Sequence, residues 1–191
     1  MGGDPALDLV NTVHDWYADT TEDYLQDVPR YLQWCDRVGL GDPASPPQPA
    51  DVEDPDRLLN EVRRLRGDLR ELFLAAIRDR KPSASSLAGL DWWLHLAWND
   101  LTLEPAVDGM LAWRGRNPDA TRPLKKIALS GLGILQSSGA GRLKECAAVG
   151  ECGWLFMDDT KNNRRRWCSM ELCGTRAKVR RYRSAHSPHP S

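Results

Sequence analysis

Four cysteines near one end of the chain, Cys146, Cys152, Cys168 and Cys173, constrain it more than any other feature. Their spacing is Cys-x5-Cys-x15-Cys-x4-Cys, two close pairs separated by enough chain for a hairpin, which is how a single tetrahedral ion is enclosed. Zinc accepts four soft thiolates without redox chemistry, and a site filled by four Cys leaves no opening for a catalytic water. The spacing therefore predicts one structural Zn2+. Two disulfides or four unconnected thiols are the alternatives, and a chain expected to stay in a reducing compartment disfavours the first.

The charge of the same region points to a partner. Residues 1–160 hold 17 Lys/Arg against 26 Asp/Glu, whereas residues 161–191 hold nine Lys/Arg and the single acid Glu171. A basic run alone is most often a solvated face; here it overlaps the cysteine cluster. Trp154–Met157 reads as a strand, 158–163 as a turn and Arg164–Trp167 as the returning strand. Cys168 and Cys173 then open a helix in which Leu172, Val179 and Tyr182 are expected to pack inward. Such a knuckle, hairpin and helix form a treble-clef-like module too small to fold without its metal. Guanidinium groups on a rigid helix make bidentate contacts to phosphate or guanine edges. Arg164, Arg165, Arg166, Arg176, Lys178, Arg180, Arg181 and Arg183 are thus the candidate nucleic-acid contacts. Basic zinc modules also act as clamps or protein docking surfaces, and nothing in the pattern separates DNA from RNA.

Ahead of this module, 191 residues leave room for one main core. The apolar positions of 56–80, from Leu58 to Ile77, recur at three and four and predict the surest helix. Further helices are expected over 28–39, closed by Gly39, over 83–99, capped by Ser83, and over 123–137. In the 83–99 helix Leu87, Leu90, Leu94 and Trp98 form the expected inward stripe, widened by Trp93 and Ala97. Asp108-Gly109 predicts a β-hairpin between Leu101–Val107 and Met110–Trp113. Five prolines between 43 and 55 predict an irregular connection. The fold class is mainly α (α+β). No stretch approaches the ~20 apolar residues of a membrane span, and the acidic start is unlike a secretory leader, so a cytoplasmic protein is expected.

The first segment, from Ala6, fits neither helical nor strand period cleanly; read as a helix, it places Asp8, Asn11 and Asp15 on one face, with Thr12 and His14 at its edge. Asp8, Asn11, Thr12 and His14 are the candidate ligand-binding residues, against the plainer reading of capping and solvated positions.

A family pattern is carried by Cys152-Gly153-Trp154-Leu155-Phe156, Asp158-Asp159-Thr160, Arg166-Trp167-Cys168 and Cys173-Gly174-Thr175-Arg176-Ala177-Lys178. This segment resembles the CGNR zinc-finger family, and Gly3-Asp4-Pro5-Ala6-Leu7-Asp8-Leu9-Val10-Asn11-Thr12 resembles the start of the ABATE domain that accompanies it. The resemblance implies a helical small-molecule-sensing domain (1–141), a DNA-binding finger (142–186), a tail (187–191) and a predicted role as a stress-related transcription regulator. A palindromic DNA site would require a homodimer. Two departures stand out: Thr175 replaces the Asn of the naming motif, and the first cysteine pair is one residue wider than the family's. The alternative function is a small biosynthetic or metabolic enzyme, with Asp8 and His14 as acid/base groups and the finger as a staple. No nucleophile elbow, phosphate loop or open metal site supports it. A third reading is an adaptor with a Trp-rich surface, which requires Trp92, Trp93 and Trp98 to be exposed rather than core.

Overall fold

The longest apolar stripe becomes the axis of the fold. In the computed structural model, which describes residues 3–18, 21–41, 47–105, 109–115, 119–137, 139–148 and 151–186, helix α3 runs from Pro55 to Ile77. Pro55 stands in its first turn, and Asp54 caps it by accepting from the Arg57 N–H at 2.9 Å. Its buried face includes Leu58, Val62, Leu65, Leu69, Leu72 and Phe73. Around it pack α1 (Pro5–Val10), α2 (Val28–Arg37), α4 (Ala84–Asp100) and α5 (Arg122–Gln136). The fold is mainly α, with three small antiparallel two-stranded sheets among the described residues. Among the described residues no helix is long and apolar enough to cross a membrane.

Gly131 interrupts the α5 pattern for a packing reason: a Cβ there would lie 2.5 Å from Leu69 Cδ2, so the bare backbone lets α5 close onto α3. Cys35 is a buried thiol, as its helical position predicts, and burial pushes it up to about 12. A 101–115 hairpin forms, with β3 (Leu101–Pro105) paired to β4 (Leu111–Gly115), but with Pro105 opposite Leu111 its register is one residue off that of a two-residue Asp108-Gly109 turn; Asp108 lies outside the described residues.

Four further expectations are corrected. Helix α1 stops at Val10, so Asp8, Asn11 and Asp15 share no helical face; β1 (Val13–His14) pairs with β2 (Glu22–Asp23) instead. The Thr12 hydroxyl closes the helix by donating to the Leu9 carbonyl at 2.6 Å.

The inward stripe of α4 is rotated from the expected one. It consists of Ser86, Gly89, Leu90, Trp93 and Ala97, leaving Leu87, Trp92 and Trp98 outside. The close approach is at Gly89, where a Cβ would meet the Asp68 carboxylate of α3.

In the finger, β6 (Leu155–Met157) pairs with β5 (Leu143–Glu145), not with Arg164–Trp167. The Cys146 N–H extends that ladder to the Trp154 carbonyl at 2.8 Å, so the first cysteine pair sits at the closed end of a β5–β6 hairpin. The 158–166 segment wraps a buried carboxylate instead of forming a strand: Asp158 accepts from Lys144 Nζ at 2.5 Å, the Thr160 N–H and hydroxyl, and the Arg165 N–H.

Last, helix α6 (Thr175–Ala185), entered through a wide π-type turn at Met170–Gly174, buries none of Leu172, Val179 or Tyr182. Nothing else in the described chain packs along it closely enough to cover them.

Candidate metal centre and nucleic-acid interface

The hairpin brings Cys146 and Cys152 to one side and the turn before α6 brings Cys168 and Cys173 to the other. Their four Sγ atoms lie within 4.8 Å of one another. Cys168 Sγ stands 3.6 Å from both Cys152 Sγ and Cys173 Sγ. A zinc tetrahedron with Zn–S bonds of ~2.3 Å has edges of ~3.8 Å, so the spacing suits zinc. The disulfide alternative falls, because all four thiols are free. Without a cation the cluster resists full ionisation. Donation to Cys146 and the nearby thiolate charge help push the Cys152 thiol up to about 12, while donors from Cys152 and Cys168 push Cys146 down to about 2. A dication would relieve that conflict and hold all four as thiolates. The donor set is closed and all-sulfur: the chain's cofactor is structural zinc.

The predicted arginines divide into two kinds. Arg165 is a brace inside the finger: its guanidinium donates to the Trp167 carbonyl at 3.0 Å and to the Cys168 carbonyl, and it stacks over Phe156 at 4.7 Å. Arg180 pairs with Glu151 across to the first knuckle. Arg164, Arg166, Arg176, Lys178, Arg181 and Arg183 are exposed, as is Arg180. Arg166 lies over the Trp167 ring at 5.2 Å. Together α6 carries five cations and no acid.

Asp8, Asn11, Thr12 and His14 each make different contacts. Asn11 lies at the domain junction, where its amide accepts from the Leu155 N–H at 2.9 Å and donates to the Leu155 carbonyl at 2.8 Å. Thr12 accepts from Arg66, which also forks onto Asp23. Asp8 is half-buried in the first turn of α1. His14 lines a pocket: with Tyr24, Trp154, Leu172 and Arg176 it walls a cavity of about 190 Å³ beside Cys152, Cys168 and Cys173. Arg176 makes no hydrogen bond or ion pair among the described residues.

Several residues of the junction escaped sequence reasoning. Arg70, buried in α3, donates to the Gly153 carbonyl at 2.8 Å, stacks on Trp16 and lies 3.5 Å from Glu145. Trp154 Nε1 donates to the Val13 carbonyl at 3.0 Å. Arginines on the apolar face of a helix were the available signal for such a junction; their partners, about 80 residues away, were not. Asp158 could have been found from the Asp-Asp-Thr run, a short side chain positioned to accept from the backbone two residues on.

Two family models match the chain. One, described as "Putative stress-induced transcription regulator" and named ABATE, matches residues 3–138; the other, the CGNR zinc finger, matches residues 142–186. Among curated proteins none matches.

Proposed function

Because the chain belongs to the ABATE family and carries the CGNR zinc finger, we propose that it is a ligand-responsive transcription regulator whose finger binds duplex DNA. The observation that carries this reading is α6, a helix held at its base by the cysteine cluster, cationic on every side and left uncovered by the rest of the described chain. A projecting basic helix of this kind suits a DNA groove, and the exposed Arg164 and Arg166 add phosphate contacts beside it. The net acidity of residues 1–160 keeps the remaining surface from competing for the phosphates.

The pocket between His14, Tyr24, Trp154, Leu172 and Arg176 is the proposed ligand seat. It lies below the ~300–1,000 Å³ typical of drug-sized ligands, so it suits a metabolite with an apolar body and one acidic group facing Arg176. Arg176 then belongs to both sites. A ligand that engages it withdraws one cation from DNA, and by linkage DNA weakens the ligand equally.

Fluorescence anisotropy of a labelled duplex across a salt series tests the DNA reading. Binding should weaken steeply with salt, and replacing Arg176 and Arg183 by Ala should flatten the slope of log K against log salt by about 1 for each phosphate no longer neutralised. No binding by the zinc-loaded protein at low salt would refute it.

A further inference from the structure

The outward face of α4 exposes apolar side chains that the proposed function does not use. Ala84, Ala88, Asp91, His95 and Trp98 follow one another at intervals of four, three, four and three, flanked by Leu87 and Trp92, and all seven are exposed. Trp92 and Trp98 are 48% and 53% exposed, whereas Trp93, on the opposite face, is 2%. The alternation of four and three is the seam of a helix that packs against another helix. Within the described chain that seam has no covering element.

We propose that this face is a homodimer interface in which α4 pairs antiparallel with α4 of a second copy, about a two-fold axis at the level of Trp93. The pattern is self-complementary in that register. Ala88 faces the partner's Trp98, a small residue against a large one, and Trp98 faces the partner's Ala88 in return. Asp91 faces the partner's His95, so the pair that already lies at 3.5 Å within one helix gains a second, symmetric partner. Trp92 approaches the partner's Trp92 beside the axis. A parallel pairing would set Asp91 against Asp91, His95 against His95 and Trp98 against Trp98, with like charges and equal bulk opposed. The sequence of the face therefore selects one direction, and it selects a copy of itself as occupant.

Helix α4 has 17 residues and is thus about 25 Å long, too little alone for the ~800 Å² per partner of a stable interface. The β3–β4 hairpin extends the exposed apolar surface. It leaves α4 directly, at Leu101, and exposes Leu103, Met110 and Leu111. In an antiparallel pair each hairpin comes alongside the first turn of the partner's α4, where Ala84 and Leu87 are uncovered. This dimer stands on its own evidence, whether or not the finger binds DNA.

Sedimentation of the zinc-loaded full chain tests it. A concentration-dependent dimer is expected, and Trp92→Glu and Trp98→Glu should each weaken it at least about tenfold while leaving the helical circular dichroism unchanged, since both side chains are half exposed in the protomer. Register is read by mixing Ala88→Cys and Trp98→Cys proteins: the mixture should form a disulfide-linked heterodimer joined between 88 and 98, and neither protein alone should cross-link. A chain that stays monomeric at its highest soluble concentration overturns the proposal. So does a dimer indifferent to both glutamates that forms no 88–98 link.

Discussion

The side chain of Asn11 does the work of a neighbouring strand, since its amide pairs with both the N–H and the carbonyl of Leu155 in the way an adjacent peptide group would. Both atoms of Leu155 are buried at the junction, where water does not replace a lost partner. Asn11→Ala should therefore cost about 3 kcal/mol, from two buried polar groups left unsatisfied. Denaturant unfolding measures it, and a loss below about 1 kcal/mol would show that the junction relaxes or admits water. The sequence placed Asn11 on a helical face with Asp8 and Asp15, whereas α1 ends at Val10 and Asn11 clamps Leu155. Asn, Thr and Asp near a helix end read equally as caps, ligand contacts or long-range clamps, and only the location of Leu155 distinguishes them.

At the scale of elements, α3 acts through its two buried arginines. Arg66 ties it to β2 through a fork onto Asp23, and Arg70 ties it to the first knuckle of the finger. Burial raises the Asp23 carboxyl, but the hydrogen bonds and charge of Arg66, with the Leu25 N–H and Arg63, outweigh it and hold the group below the usual carboxylate range. A carboxyl with a depressed folded value contributes stability that is present above its unfolded value and lost as pH falls through the folded one. The wild-type chain should thus exceed Asp23→Asn by about 1 kcal/mol at neutral pH, a figure discounted for the pair's partial exposure, with the gap closing as pH falls through and below the usual carboxylate range. Parallel unfolding curves across that range check it; a gap that persists at the acid end would assign the effect to packing. Helix α6 is the opposite case. Its Val179 and Tyr182 were expected to pack inward from spacing alone, yet Tyr182 is 65% exposed, because the cysteine cluster anchors only the helix base and offers no surface further along.

The whole molecule is more continuous than its two family segments suggest. Leu143 of β5 and Leu155 of β6 sit in the same core as Leu7, Leu65 and Leu69, while the cysteines form a second, smaller cluster with Ala148 and Phe156. The finger hairpin is in effect an outer layer of the helical domain. Zinc removal should therefore lower the thermal midpoint of the helical signal and not only release α6, and the zinc-loaded protein should melt in one transition. Helical melts with and without a strong chelator decide this. An unchanged midpoint for the bulk of the helix would show that the two parts fold independently. The same continuity gives the proposed ligand seat its reach, since one of its walls is β1 and another is the turn that carries Cys168 and Cys173.

Some of this was settled by the chain's own order. The four-cysteine spacing, the α3 stripe, the existence of a hairpin after α4 and the division of charge are local patterns, set by ligand count, helical period, strand propensity and composition, and each is recovered in the structure, the exact register of that hairpin excepted. The tertiary structure alone decided which face of α4 turns inward, which strand β6 meets, and that Asn11, Arg70 and Trp154 join two regions about 80 to 140 residues apart. These depend on close approaches and buried polar pairings between distant residues, such as Gly89 against Asp68 or Asp158 against Lys144, and a one-dimensional pattern carries the residue types for such contacts without their partners.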